Sequence, residues 1–268
     1  LLILNLMKSS NKTVNSAIKR HDLDASGFDS LYKGIDNSSK ARAFMLGRNM
    51  IVDELDSFLE ALPQGSKILD VGCGTGHLTN QIKQKGYEVY GIEPSSEMLK
   101  IAKKNFPSIP LRSDISSKIS FENDYFDAII ALEVLRYLDK EENCNSLKEF
   151  HRCLKEGGSF FVTQVNAFST DFYYFFYHLK SLYSLIFNKV NHYCYFTTPK
   201  AQEILGKKCG FKKIRTIGLF SGSSRIAFKF GKKFGNFYFG LLNKILQQRI
   251  TKSFYKAFCG HLIVIGEK

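Results

Sequence analysis

The sequence predicts an α/β fold built on a doubly wound, seven-stranded and mostly parallel sheet. Apolar runs alternate with amphipathic helical segments along most of the chain, which is typical of parallel strands joined by crossover helices. The first run, residues 67–71, stops at three glycines in alternate positions, Gly72, Gly74 and Gly76, and Glu93 ends the second run. A glycine-rich turn after one strand and an acid at the tip of the next indicate a nucleoside site.

Each predicted element depends on its own pattern. Strands one and four are nearly continuous in apolar residues, which indicates burial on both faces. The helix before strand one carries apolar residues at helical spacing and ends at Pro63. Ser95 and either Thr197 or Thr198 are candidate N-caps. The predicted strands are 67–71, 87–92, 109–111, 125–132, 159–165, 211–219 and 261–265; the predicted helices include 40–62, 147–154 and 199–209.

The spacing of the glycines distinguishes a dinucleotide from a nucleoside that carries a positively charged group. A dinucleotide fold would show Gly-x-Gly-x-x-Gly, with a helix N-terminus directed at a pyrophosphate. This chain has Gly-x-Gly-x-Gly preceded by Asp70. A carboxylate at that place repels a pyrophosphate but suits an ammonium or a sulfonium group.

The string Ile-Leu-Asp-Val-Gly-Cys-Gly-Thr-Gly, residues 68–76, closely resembles motif I of class I S-adenosylmethionine (SAM) dependent methyltransferases. The resemblance covers residues 67–165 and is greatest to the branch of ubiquinone and menaquinone methyltransferases and small-molecule O-methyltransferases. It implies a Rossmann-like sheet whose last strand lies antiparallel beside strand five. It also implies a single methyltransferase domain over 40–268, with a helical cap formed by insertions at about 168–198 and 220–258.

The same resemblance implies SAM as the cofactor. Glu93 would accept hydrogen bonds from the ribose, and Asp114 would accept one from the adenine amino group unless it is an ordinary loop acid. Arg48 faces the carboxylate of SAM or is a solvated arginine. The expected cofactor-binding residues are Arg48, Asp70, Gly72, Cys73, Gly74, Gly76, Glu93, Pro94, Met98, Ser113, Asp114, Ile115, Leu132 and Glu133.

One departure from the family pattern concerns a metal. The ubiquinone O-methyltransferases that this chain resembles carry Glu-x-x-Glu-His after strand four, a divalent metal site. Here Glu133 is followed by Arg136 and Tyr137 in place of the second acid and the histidine. A cation within the ligand set would repel a metal ion, so we expect none.

Candidate catalytic residues are few, because methyl transfer from a sulfonium has a neutral leaving group and depends mainly on alignment. A general base helps where the acceptor is a hydroxyl. His192 is the candidate base. Tyr137, Tyr195 and His178 are candidate substrate-binding residues. Each of the four has an ordinary alternative as a core or surface side chain.

The charge of the chain is concentrated in one segment. Residues 200–256 carry fourteen Lys or Arg and one acid, so they account for the whole net charge of +13. Residues 168–198 are rich in Phe and Tyr. Together the two insertions would suit an acceptor with an apolar body and an anionic head, or an anionic membrane surface. The alternative is a solvated basic face with ordinary core aromatics.

The ends and the cysteines complete the expectations. Residues 1–39 are polar and are expected to form a flexible N-terminal arm, in which Met7 is a plausible start. The six cysteines include no Cys-x-x-Cys pair, so we expect reduced thiols and a cytoplasmic location. The basic segment adds the expectation of peripheral contact with a membrane.

The expected function is methyl transfer from SAM to a small-molecule or lipid-linked acceptor, with O-methylation favoured. A nucleic-acid methyltransferase that binds RNA through its basic segment is one alternative. It is less favoured, since no Asn-Pro-Pro-Tyr motif follows strand four. A non-catalytic SAM-binding protein is the other alternative, and the joint presence of Asp70, Glu93 and Asp114 argues against it.

Overall fold

Strands and helices alternate as the sequence predicts. The computed structural model describes residues 2–36, 38–169, 173–187, 193–219, 227, 230–246 and 257–268. The strands are β1 Lys67–Val71, β2 Glu88–Ile92, β3 Leu111–Arg112, β4 Phe126–Ala131, β5 Leu154–Asn166, β6 Phe196–Thr197, β7 Lys212–Leu219 and β8 His261–Glu267. The helices are α1 Leu2–Tyr32, α2 Ser39–Glu60, α3 His77–Gln84, α4 Ser96–Asn105, α5 Lys140–Cys153, α6 Tyr173–Ile186, α7 Pro199–Lys208 and α8 Lys232–Leu246, with a 3-10 turn at Leu135–Tyr137.

The sheet has the order β3-β2-β1-β4-β5-β8-β7 in the part of the chain that is described. The predicted doubly wound topology is confirmed, and β8 runs antiparallel to both β5 and β7. The prediction of seven strands misses only β6, a two-residue strand that pairs with the end of β5. Strand order reverses between β1 and β4, so the carboxyl ends of these two strands flank the crevice in which ligands of such sheets bind.

The core lies on both faces of the sheet. Alternate residues of β1 separate into two clusters, with Leu69 packed among α5 and α7 residues and Ile68 among α2 and α3 residues. Ile129 and Ile130 of β4 divide in the same way. Because helices cover both faces, every position of β1 and β4 is apolar except Lys67, Asp70 and Asp127, which explains the nearly continuous hydrophobic runs in the sequence.

The N-terminal segment corrects an expectation. Residues 1–39 are predicted to be a flexible arm, but Leu2–Tyr32 forms a helix. One face of α1 packs on the domain, so Ala25 is only 3% exposed, whereas Leu23 on the other face is 73% exposed. The segment is polar overall, and its helical period rather than its composition carries the structural information.

Two elements differ in extent from the predictions. Helix α5 begins at Lys140, well before residue 147, because the Asp139 side chain accepts a hydrogen bond from Glu142 N at 2.9 Å and caps it. The Gly157-Gly158 pair is predicted as a turn before strand five. It lies inside β5 instead, where Gly157 has a φ of +75° and the pairing with β4 shifts register. The glycines form an irregularity within the strand.

The two insertions lie against different elements. In the first, Tyr173 and Tyr177 of α6 line a cavity together with α1. In the second, Phe239 of α8 packs against the core cluster that contains α2. None of the described residues of α8 lines that cavity, which α1 and α6 border. Residues 220–226, 228–229 and 247–256 lie outside the described part of the chain, so the prediction that both insertions form one cap stays a prediction. No described helix is both long and apolar enough to cross a membrane.

Candidate cofactor and acceptor site

The glycine-rich turn after β1 presents bare backbone to a cleft. The amides of Gly72 and Cys73 donate to Ile92 O at 2.8 and 3.1 Å, which fixes the turn against the end of β2. Gly72 has a φ of +69°, and a Cβ there would lie 2.3 Å from Val134 Cγ2. Gly74 also has a positive φ, of +56°. These positions require glycine and allow a ligand to lie directly against the main chain.

Gly76 has a different role from the one predicted. It begins α3 with a φ of +82°, and a Cβ there would lie 2.9 Å from Phe106 Cδ2 and 3.2 Å from Ala102 Cβ. This glycine lets α3 approach α4 closely, and it lies outside the lining of the cleft. Its contribution to the site is therefore the placement of the turn.

Glu93 is a buried acid at the end of β2, with 6% of its surface exposed. Its Oε2 accepts a hydrogen bond from Gly74 N at 3.0 Å, and its Oε1 accepts one from Ser95 N at 2.8 Å. Burial raises the pKa of Glu93 to about 7. Each oxygen keeps a second lone pair, so the carboxylate can still accept hydrogen bonds from two ligand hydroxyls.

Asp70 is the second buried acid of the cleft. Its Oδ2 accepts a hydrogen bond from Thr79 Oγ1 at 2.7 Å, and burial raises the pKa of Asp70 to about 6, although the hydroxyl of Thr79 and the Arg48 guanidinium favour the charged form. Nearby, the buried Thr75 Oγ1 has no hydrogen-bond partner among the described residues. Two buried carboxyls and a spare hydroxyl suit a ligand that carries hydroxyl groups and positive charge.

Arg48 belongs to the cleft rather than to the solvated surface. Its Cζ lies 4.5 Å from the ring centroid of Tyr32 in α1, a cation–π contact. The predicted cofactor-binding residues that line the cleft are Arg48, Asp70, Gly72, Cys73, Gly74, Glu93, Pro94, Met98, Asp114, Ile115, Leu132 and Glu133. Ser113 is exposed and lies outside this lining.

Asp114 lines the cleft and is half-buried. Its Oδ2 accepts a hydrogen bond from Ser120 N at 2.9 Å, and its Oδ1 accepts one from Ser120 Oγ at 3.0 Å. These bonds orient the carboxyl and leave lone pairs on both oxygens.

Glu133 and Arg136 form an ion pair at the end of β4. Glu133 Oε2 accepts from Arg136 Nη1 at 2.6 Å, and Oε1 accepts from Thr163 Oγ1 at 3.1 Å. Burial alone would raise the pKa of Glu133, but the Arg136 guanidinium and His261 hold it well below its usual range. The guanidinium of Arg136 therefore lies directly against the Glu133 carboxylate. The buried Nε of Arg136 has no hydrogen-bond partner among the described residues.

A second cavity adjoins the cleft. The two share a wall made of α1 and the 3-10 turn, consisting of Ala17, His21, Phe28, Arg136 and Tyr137. Beyond this wall the second cavity is bounded by Arg20 and Asp24 of α1, by Tyr173, Phe176, Tyr177 and Lys180 of α6, and by Tyr193 and Cys194. A molecule in the second cavity would therefore meet a ligand of the cleft at His21, Arg136 and Tyr137.

The predicted acceptor residues have different positions. Tyr137 lies on the shared wall. Tyr195 lies outside both linings, and its backbone N–H donates to Arg136 O at 2.7 Å. His178 is exposed, outside both linings, with its ring centroid 4.3 Å from that of Tyr174. His192 lies outside the described residues.

Comparison with known proteins identifies the architecture. Residues 69–162, which run from β1 to β5 through the glycine-rich turn and Glu93, match the family model described as a methyltransferase domain. Residues 69–162 therefore belong to a methyltransferase domain. SAM is the cofactor of this family.

Curated relatives match part of the chain. A mitochondrial ubiquinone biosynthesis O-methyltransferase of Rattus norvegicus is 40% identical over 114 residues, which is 38% of this chain and 31% of the relative. A demethylmenaquinone methyltransferase of Chlorobaculum parvum is 33% identical over 132 residues, which is 49% of this chain and 50% of the relative. The chain thus spans about a third to a half of the length of these relatives.

Solved structures share the fold over more of the chain. A SAM-dependent methyltransferase of Thermotoga maritima has a TM-score of 0.55 at 18% identity, covering 85% of this chain and 93% of that one. A phosphoethanolamine N-methyltransferase of Haemonchus contortus, in complex with phosphomonomethylethanolamine and S-adenosylhomocysteine, has a TM-score of 0.59 at 18% identity. The match covers 82% of this chain and 52% of the Haemonchus contortus enzyme.

Several residues that line the cleft are absent from the predicted site, among them His21 and Tyr32. Both belong to α1 and line the cleft. A signal for them exists in the sequence, since the side chains that α1 buries or directs into the cleft recur every three or four residues. They are Val14, Ala17, Ile18, His21, Ala25, Phe28 and Tyr32.

Proposed function

We propose that this protein transfers the methyl group of SAM to an oxygen atom of a small-molecule or lipid-linked acceptor. The observation that carries the proposal is the second cavity, which adjoins the cofactor cleft and shares His21, Arg136 and Tyr137 with its lining. The similarity to a ubiquinone biosynthesis O-methyltransferase supports transfer to an oxygen atom, and the similarity to a demethylmenaquinone methyltransferase supports a small-molecule acceptor.

The residues of the cleft fit SAM. Glu93 would accept hydrogen bonds from the ribose, and Asp70 would stand near the positively charged part of the cofactor, with Thr75 Oγ1 as a further partner. Arg48 would pair with the carboxylate of SAM. SAM supplies a methyl group bound to a sulfonium, and the chain supplies alignment and a cover against water from α1.

The acceptor cavity combines aromatic rings with cations. Tyr173, Phe176 and Tyr177 offer apolar faces, and Lys180 and Arg136 offer positive charge. Because the guanidinium of Arg136 has five N–H donors and pairs with Glu133 through Nη1, it keeps N–H groups that would donate to an acceptor oxygen. This combination suits a ring or chain that is largely apolar and ends in an anionic or phenolic oxygen.

Helix α8 supports delivery of such an acceptor from an anionic membrane surface. Phe234, Phe237 and Leu241 lie on one helical face and are at least half exposed, Phe237 being 69% exposed. Lys233 and Lys244 are exposed on the same helix, within the segment that carries the net charge of +13. Aromatic and basic residues on one surface helix are typical of peripheral binding to anionic lipids.

A labelling experiment tests the proposed reaction. The protein is incubated with methyl-tritiated SAM and separate polar-metabolite, lipid and RNA fractions of the source cell, with Glu93→Ala as the control. We expect base-stable label in the metabolite or lipid fraction, and none with the control. Label confined to RNA would contradict the acceptor class. Absence of label in every fraction, with SAM binding intact, would identify a non-catalytic binding protein.

A further inference from the structure

His21 stands on the wall between the two cavities. It is one of the side chains that line both the cofactor cleft and the second cavity, and its ring meets that of Tyr137 edge-on with the centroids 5.0 Å apart. The ring is half-buried in α1, a helix anchored to the domain. An acceptor atom that receives a methyl group must lie between the two cavities, and His21 borders that position.

The hydrogen bond of His21 determines which ring nitrogen is free. Nδ1 lies 2.9 Å from Ala17 O, one turn earlier in the same helix. A carbonyl oxygen only accepts, so Nδ1 carries the proton in the neutral ring. The neutral ring then has its lone pair on Nε2, and Nε2 has no hydrogen-bond partner among the described residues. The backbone of α1 therefore fixes His21 as a base with its acceptor nitrogen available.

The charged and titratable groups around His21 come from every element that packs against it. On α1, Asp22 and Asp24 favour the imidazolium form and Arg20 opposes it. The 3-10 turn contributes Arg136 and Tyr137, and the opposite side of the second cavity contributes Tyr173, Tyr177, Lys180, Tyr193 and Cys194. Arg20 forms an ion pair with Asp24, and Arg136 forms one with Glu133. Of the two aspartates that favour a proton on His21, Asp24 is thus paired with an arginine, and Asp22 Oδ1 accepts hydrogen bonds from Ser95 Oγ and Glu97 N.

We propose that His21 is the general base of the methyl transfer, and that the acceptor group that it deprotonates is a hydroxyl. This assignment rests on the proposed function. The acceptor O–H proton passes to Nε2 and forms an imidazolium. The oxygen electron pair forms the bond to the methyl carbon, and the pair of the carbon–sulfur bond stays on sulfur as the neutral thioether. Bulk water then removes the proton from His21.

The protonation state of His21 agrees with this role. Burial lowers the pKa of His21 below 6.5, while the Ala17 hydrogen bond and the neighbouring aspartates act in the opposite direction. The ring is therefore mainly neutral at pH 7 and ready to accept a proton. The base loses its function as the pH falls through this lowered pKa, so the reaction should slow on the acid side.

Two measurements test the assignment. The first is an NMR titration of the full chain labelled at histidine, with His21 assigned by His21→Gln. We expect the Nδ1–H tautomer, a non-protonated Nε2 and a pKa below 6.5. An Nε2–H tautomer at neutral pH would overturn the proposal, whatever the activity of the protein.

The second measurement is the pH profile of kcat/KM with 4-octylcatechol and SAM. His21→Gln should lower kcat by about 10²–10⁴-fold, with the calorimetric affinity for SAM changed less than threefold. It should also lose the acid limb of the profile, so that its rate follows ionisation of the catechol instead. His151→Gln is the matched control, since His151 lies on α5 against Phe211, outside both cavities.

The outcomes separate this assignment from the proposed function. If wild type methylates 4-octylcatechol and His21→Gln keeps both the rate and the acid limb, His21 is not the base and the function stands. If wild type binds SAM but labels RNA rather than any hydroxyl compound, the proposed acceptor class fails. His21 then also loses its role, because no acceptor hydroxyl remains to deprotonate.

Discussion

Asp29 Oδ1 and His77 Nε2 lie 2.9 Å apart, although 48 positions separate the two residues in the chain. Asp29 belongs to α1, and His77 is the first residue of α3, directly after the glycine-rich turn. The same carboxyl oxygen accepts a hydrogen bond from Asn105 Nδ2 at 2.9 Å. Asp29 thereby joins the N-terminal helix to α3 and α4, two of the helices that border the cofactor cleft.

Asp29→Ala should loosen α1. The substitution leaves the half-buried His77 and Asn105 without their partner, which costs roughly 1–3 kcal/mol in the free energy of unfolding. Thermal unfolding should shift downward, and the amides of α1 should lose protection in hydrogen exchange. Asp53→Ala, at an exposed position of α2, is the control. Unchanged exchange in α1 would show that this contact does not hold the helix.

Glu93→Ala should weaken cofactor binding. Two charge-assisted hydrogen bonds to the ribose contribute together roughly 3 kcal/mol, which corresponds to about a hundredfold in affinity. Calorimetric titration of SAM into wild type and variant measures this difference. Equal affinities in a folded variant would remove Glu93 from the cofactor site.

The stability of the ligand-free protein should depend on the protonation of Glu93. Its pKa is about 7 in the folded protein, against 4.5 for the ordinary side chain, so the folded state binds more protons between these values. The stability that Glu93 contributes through this shift is therefore fully present below about pH 4.5 and is lost as the pH rises through about 7. Relative to Glu93→Gln, wild type should lose about 3 kcal/mol over this interval. Denaturant unfolding of both proteins at several pH values would measure this difference in the free energy of unfolding. If the free energies of wild type and Glu93→Gln changed in parallel with pH, the raised pKa of Glu93 would be contradicted.

Methyl transfer should not require a divalent metal. Arg136 Nη1 lies 2.6 Å from Glu133 Oε2, so a cation already pairs with the acid that a metal would need. We expect the initial rate to be unchanged after dialysis against EDTA. Loss of turnover in EDTA that magnesium restores would show that the metal prediction is wrong.

Binding to vesicles should depend on anionic lipid. Each basic residue near an anionic bilayer contributes on the order of 1 kcal/mol, and this attraction is screened by salt. Co-sedimentation should increase with phosphatidylglycerol, decrease with added salt, and weaken in Lys233→Glu/Lys244→Glu. The control Lys100→Glu/Lys103→Glu has the same change in charge on exposed positions of α4. If both variants lost vesicle binding equally, the binding would depend on the net charge of the protein rather than on α8.

The parts of the fold that sequence reasoning predicts correctly depend on neighbours in the chain. The run 67–76 indicates strand, turn and helix because burial on both faces, positive φ and N-terminal capping are local requirements. Ser95 is correctly predicted to cap α4, its Oγ accepting from Met98 N at 3.2 Å. The C-terminal strand is recognised by its apolar run, and its antiparallel position is implied by family resemblance and confirmed by the pairing with β5.

Other features depend on tertiary contacts that no local pattern encodes. The sequence shows a helical period in residues 14–32, but only the folded chain brings that face over the glycine-rich turn. There Asp22 Oδ1 accepts from Ser95 Oγ at 2.6 Å, and Asp29 meets His77. A polar helix of this kind is stable because its few buried groups find partners from α3 and α4.

The sequence by itself determined the sheet, the family and the acids of the cofactor cleft, because alternation of burial and the spacing of glycines are properties of consecutive residues. Only the tertiary structure decided that Arg136 pairs with Glu133, that Gly76 serves helix packing, and that α1 and α6 border the second cavity. These results depend on contacts between segments far apart in the chain. Their energies are set by burial and by partners that form only when the whole domain packs.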